Sequence, residues 1–189
     1  ILTIDIGTDM APALGLGAET AEESVMQRPP RSSKERLLNR NVILIGFLWY
    51  GLLATVFAVG GYFLASFLNG WPDAALAAEG TRGYAEATTM MLAGVVFSQM
   101  GMAMNNRTDY ESVFKRGLFT NRYINAGLVI EVLILLAIIY IPFLNGIFNT
   151  APISWVEWLY LICIPFVVFG VEEARKKILR KKRSKRSDI

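Results

Sequence analysis

The sequence predicts an all-α protein: a polytopic membrane helix bundle with a partial first helix followed by four full transmembrane helices. Three observations predict it. Of 189 residues, 53% are hydrophobic and only 19% are charged, whereas soluble domains carry roughly a quarter charged residues. The charges are gathered into blocks, so the mean hydropathy is +0.40 and long stretches are almost free of charge. Four of those stretches reach the roughly 20 residues that a helix needs to cross a hydrocarbon core. The composition also excludes several chemistries. His is absent and Cys163 is the one cysteine, so His-based catalysis, a zinc site and a disulfide framework all fall away. There is no positively charged n-region with a cleavage site, and no Gly-rich phosphate loop ending in Lys-Ser/Thr.

The opening stretch, Ile1 to Gly17, reads ILTIDIGTDMAPALGLG and carries Asp5, Thr8 and Asp9. Their i, i+3, i+4 spacing puts them on one helical face. Carboxylates in a membrane-grade segment are costly, so they face a bundle interior or wet cavity and bind something positive. Gly7 and Pro12 weaken the helix there, which leaves backbone carbonyls as further oxygen ligands. Taken alone, the stretch fits a soluble amphipathic helix with two exposed acids equally well; the apolar segments that follow decide against that reading. Because it falls short of a full span, the expectation is that Ile1 lies inside a helix and that the chain is the tail of a longer polypeptide.

Ala18 to Arg40 mixes Glu19, Glu22, Glu23 and Glu35 with Arg28, Arg31, Lys34, Arg36 and Arg40 around Pro29-Pro30. The prolines forbid a continuous helix. Interleaved acids and a lack of aromatics argue against nucleic acid as a partner, and a solvated connector is expected. The next helices are expected at about 42–68, 87–106, 123–148 and 154–174. The first of them is uncharged and contains Trp49, Tyr50 and Tyr62. The second holds Met90, Met91, Met100, Met102 and Met104. Clustered methionines suit copper, but without Cys or His beside them packing filler is the preferred reading. Trp155 and Trp158 look like an interfacial anchor opening the last helix. Residues 175–189 are expected to form a basic tail.

Alternating crossings put 18–40, 107–122 and the tail on one side, while 69–86 and 145–154 fall on the other. The second group holds only Arg82 among Lys and Arg, so the basic side, with the C-terminus, is expected to be cytosolic in a cell membrane. Within the spans, three features offer oxygen: Asp5/Thr8/Asp9, Gln99 and Glu131. Oxygen-only sets suit hard cations (Na⁺, K⁺, Ca²⁺ or H⁺) rather than soft metals. Gln99 fits an interhelical hydrogen bond equally well. Glu131, well inside its helix, is expected to be functional or paired, as an ionised or a neutral acid.

Asp5-Ile-Gly-Thr-Asp9-Met-Ala-Pro12, followed by Met26-Gln-Arg-Pro-Pro-Arg31, resembles the sixth transmembrane helix and next cytosolic loop of type II P-type cation ATPases. Asp at the first position is similar to the sodium–potassium and proton–potassium branch; calcium pumps of the sarcoplasmic type have Asn there. The closing Phe169-Gly-Val-Glu-Glu-Ala-Arg-Lys-Lys-Ile-Leu-Arg also resembles that branch. The resemblance covers essentially the whole chain, as helices six to ten. It implies that Asp5, Thr8 and Asp9 help to form two cation sites, with Asp5 and Asp9 as the metal-ligating acids. It also implies that Gln99 is a ligand from the eighth helix and Glu131 the acid of the ninth. Where the branch carries an Asp three residues after the Gln position, this chain has Met102, so a third site is not implied. No catalytic residue falls in this stretch; phosphorylation and the binding of ATP and Mg are implied in an upstream part of the same polypeptide. The residues by themselves also fit a fragment of a gradient-driven secondary cation transporter, or a non-transporting membrane scaffold.

Overall fold

The computed structural model describes residues 10, 12–19, 39–108 and 112–187. Its architecture is all-α, with no strand among the described residues. A short helix α1 (12–17) is followed by α2, which comprises Arg40–Ile43, Leu44–Tyr50 and Gly51–Leu68. Then come α3 (Arg82–Asn105), α4 (Val113–Arg116), α5 (Arg122–Tyr140), α6 (Pro142–Phe148) and α7 (Trp155–Ser187). Among the described residues four helices, α2, α3, α5 and α7, are long and apolar enough to cross a membrane.

Helix α3 is the centre of the bundle. It packs most extensively against α2 and then α7, and it is buried over most of its length while the other three spans are largely exposed. The core joins Met90, Ala93, Val96 and Phe97 of α3 to Ala65 of α2, Leu135 and Ile139 of α5, and Leu161, Ile164 and Val168 of α7. The outward faces are apolar too: Phe47, Val129 and Phe166 are among the most exposed large side chains. A surface of that kind is stable against lipid and unstable against water. Met90, Met102 and Met104 are buried in the bundle, where an unbranched thioether fills irregular gaps between helices.

Three boundaries differ from the hydropathy expectation, each for a physical reason. Helix α3 starts at Arg82 rather than near 87, because Thr81 caps it by accepting a hydrogen bond from the Tyr84 N–H. The expected single helix over 123–148 breaks at Ile141, which is extended (φ −85°, ψ 116°) ahead of Pro142. A proline disfavours helical geometry in the residue before it and then starts a helix well. The carbonyls of Ile138 and Ile139 freed by the break are met by Asn145 Nδ2, at 2.6 and 2.9 Å, and by Thr150 Oγ1. The chain then turns at Asn149, in the left-handed region (φ 53°). Helix α7 begins with the carboxylate half of a capping box, in which Glu157 Oε2 accepts from the Ser154 N–H and hydroxyl. It runs on to Ser187, so 175–187 continue the last helix instead of forming a separate tail.

That continuation is anchored. Lys176, 1% exposed, donates to the Asn105 carbonyl at 2.7 Å and the Thr108 hydroxyl at 2.8 Å, meeting the C-terminus of α3 with a cation where the helix dipole favours one. One turn earlier, buried Glu172 accepts from Trp49 Nε1 of α2 and from Arg175.

The α2–α3 contact depends on Gly94. A Cβ there would lie 2.9 Å from the Phe57 carbonyl oxygen and 3.0 Å from the Ala58 Cα, both backbone atoms that cannot rotate away, and small residues permit this approach between membrane helices. Gly94→Ala is therefore expected to destabilise the bundle by about 1–3 kcal/mol through overpacking. Gly146→Ala, whose Cβ would meet nothing within 4 Å, serves as the neutral control. Thermal unfolding of the detergent-solubilised protein measures both; equal midpoints would contradict the close crossing.

Candidate functional site

Three helices converge on a small cavity of about 190 Å³, room for a cation and several waters. Helix α1 supplies one wall through Pro12, Ala13 and Leu16, residues spaced to share a helical face. Helix α3 supplies Gln99, Met102, Ala103 and Asn106, and α5 supplies Glu131. Gln99 and Glu131, picked out separately in the sequence as intramembrane oxygen donors, thus face one space. Glu131 is 1% exposed, and Gln99 is half-buried. A carboxyl held that far from water needs a proton, a positive partner or a cation. Asp5, Thr8 and Asp9 lie outside the described residues.

Asn106 also lines the cavity, and its place at the end of an apolar run carries no signal of that in the sequence. It stands at the C-terminal cap of α3, and its Oδ1 accepts from the Tyr50 hydroxyl of α2 at 2.8 Å. Met102 also faces the cavity and presents a thioether where another oxygen would make the lining more hospitable to a hard cation.

Beside the cavity lies a polar node that binds its three walls together. Arg107 follows Asn106 and is 4% exposed. Its Nε donates to Glu19 Oε2 at 2.8 Å, and its Nη2 to Glu19 Oε1 and the Thr120 hydroxyl. Its Nη1 donates to the carbonyls of Gly117 and Leu118. Asn121 is the N-cap of α5, with Oδ1 accepting from the N–H groups of Tyr123 and Ile124. Its Nδ2 reaches the other way, to the Gly15 carbonyl at 3.0 Å and Glu19 Oε2 at 2.7 Å. Helix α1 can come this near because Gly15 has no side chain: a Cβ would lie 2.6 Å from the Ile124 nitrogen. Hydropathy assigns Arg107 and Asn121 to a solvated loop; the one signal in the sequence was an Asn immediately before an apolar helix, a capping pattern.

Comparison with known proteins bears on this arrangement. A family model described as "Cation transporting ATPase, C-terminus" matches residues 1–178. Calcium-transporting ATPase 1 of Bacillus cereus is 34% identical over an alignment covering 94% of this chain and 20% of that protein. The sodium/potassium-transporting ATPase subunit alpha of Hydra vulgaris is 30% identical, covering 96% and 20%. Human calcium-transporting ATPase type 2C member 1 is 31% identical, covering 95% and 18%. The chain spans about a fifth of the length of these curated relatives. Their names divide between calcium and sodium/potassium at similar identity, so the finer likeness to the sodium–potassium branch is not distinguished by these matches.

The node gives a structural test. Asn121→Ala removes a helix cap and two bonds to the α1 end, and is expected to destabilise the protein by about 2–3 kcal/mol. Thr81→Ala, which removes the cap of α3 and a local bond to the Ala78 carbonyl, is expected to cost about 1 kcal/mol. Comparable midpoints in thermal unfolding would show that the Gly15 and Glu19 bonds contribute little.

Proposed function

The chain belongs to the C-terminal family of cation-transporting P-type ATPases, a multi-pass membrane domain, and from that premise we propose that it supplies intramembrane oxygen ligands to the pump's cation site. The observation that carries the proposal is the cavity in which buried Glu131 and half-buried Gln99 face the wall formed by Pro12, Ala13 and Leu16. Asp5, Thr8 and Asp9 precede that wall in sequence at helical spacing: Thr8 and Asp9 stand four and three residues before Pro12, and Asp5 seven. That spacing is the one shared by residues on a single helical face with Pro12, Ala13 and Leu16, and on that ground all three are assigned to the cavity. The ligand set is then two or three carboxyls with a hydroxyl, an amide and backbone carbonyls, which suits Na⁺, K⁺, Ca²⁺ or H⁺ as the transported substrate.

Several finer assignments belong to the same proposal. Asp5 inclines the reading toward the sodium–potassium and proton–potassium branch, while Met102 removes the oxygen that a further site there would use. The asymmetry of Lys and Arg puts the C-terminal end of α7 in the cytosol. ATP and Mg are bound upstream in the same polypeptide, and phosphorylation there switches access to the site between the two membrane faces.

In the full-length pump, Asp5→Asn and Asp9→Asn are each expected to abolish cation-stimulated turnover of the phosphoenzyme. Glu131→Gln is expected to weaken apparent cation affinity by at least about 10–100-fold, the range found even for residues that only support a metal ligand. Cation dependence that stays at the wild-type level in Asp5→Asn and Asp9→Asn would overturn the assignment.

A further inference from the structure

Resting on the cation-site reading above, we infer that Arg107 is a positioning residue for transport: with Glu19 and Asn121 it locks the axial register of α1 against α3 and α5, and thereby sets the geometry of the cavity.

A guanidinium has five N–H donors in a rigid fork. All five are used in the buried Arg107: two on Glu19, one on the Thr120 hydroxyl and two on the carbonyls of Gly117 and Leu118. Arg107 therefore has one orientation, and it fixes the α1 end and the turn before α5 to the end of α3. Lysine, with three donors on a flexible stem, reproduces the charge but not the fork.

The three anchor points are close in sequence to the three walls. Glu19 lies one turn after Leu16, Arg107 immediately follows Asn106, and Asn121 caps the helix that carries Glu131. Asn121 adds a bond to the Gly15 carbonyl, within α1 itself. A slip of α1 by one residue moves its cavity face by about 1.5 Å along the axis and about 100° around it. Oxygen ligation of a hard cation tolerates a few tenths of an ångström. The node excludes such a slip at the end of α1 that leads directly into the cytosolic connector, the point where a pull on that connector would first act. Glu19 also balances the charge of Arg107, so the fixture does not repel a cation in the cavity beside it.

The test uses the full-length pump and reads three quantities for each variant: apparent cation affinity from the cation dependence of ATP turnover, maximal turnover, and thermal midpoint. Arg107→Gln and Glu19→Gln are each expected to lower apparent affinity about tenfold, the size of effect seen when the supports of metal ligands are removed, with maximal turnover within about twofold. The double variant is expected to be no worse than either single, because the two act as one unit. Arg107→Lys is expected to recover part of the lost affinity. Wild-type affinity in Arg107→Gln would overturn the inference. So would parallel loss of affinity, turnover and midpoint with no recovery in Arg107→Lys, which marks a purely structural role. Should Arg107→Gln fail to fold, Arg107→Lys and Glu19→Gln decide by the same split between affinity and turnover. Asp5→Asn, run alongside, separates the two levels: lost cation dependence there with unchanged affinity in Arg107→Gln sinks this inference alone, whereas unchanged cation dependence in Asp5→Asn sinks the site reading.

Discussion

A lipid bilayer offers no water to a broken helix or a buried carboxyl, so each such group must be met by another part of the chain. That constraint organises this domain. Where α5 breaks, Asn145 and Thr150 take the freed carbonyls. Where α3 ends, Lys176 of α7 reaches its last carbonyl, that of Asn105. Where α1 ends, Asn121 and Arg107 bind it to the start of α5 and the end of α3. These three ties sit at helix ends, while Trp49 to Glu172 and the Tyr160 hydroxyl to the Phe57 carbonyl join α2 to α7 along their shafts. The shafts between them are held by close apolar packing around α3, as at Gly94. The cavity occurs where that packing is interrupted by polar side chains from two shafts.

Much of this was legible in the sequence, because hydropathy and membrane thickness leave few alternatives. The apolar runs gave the four spans, and the cost of burying Glu131 in a span marked it as consequential before any contact was known. What hydropathy alone does not resolve is where a helix ends within an apolar run. Pro142 was visible, but the apolar residues around it hid the break at Ile141. The capping pattern at Thr81 extended α3 beyond its apolar centre. The charge block after Val171 read as a tail, although Glu172 and Lys176 are among the most buried side chains; their partners Trp49 and Asn105 are distant in sequence, and only the fold brings them near.

The node at Arg107 was illegible for the same reason. A charged loop of this composition is ordinarily solvated, and nothing local distinguishes an arginine that donates to water from one whose fork is filled by Glu19 and the turn 117–120. The same holds for the link between Gln99 and Glu131. Each is recognisable as a polar residue in a span, but their sharing of one cavity is a property of the crossing of α3 and α5, and that crossing depends on side-chain packing rather than on composition. Met102 shows the converse: its identity was plain, and its meaning, an apolar side chain facing the cavity, came from its position.

The measurement that tests the central claim most directly is anomalous diffraction from the crystallised full-length protein equilibrated with a heavier congener of its cation, such as Rb⁺, Tl⁺ or Sr²⁺. The account predicts an anomalous peak in the cavity bounded by α1, α3 and α5, within ligand distance of the oxygens of Gln99 or Glu131. Ordered cations found only elsewhere, with that cavity empty and Glu131 engaged solely by protein groups, would contradict it.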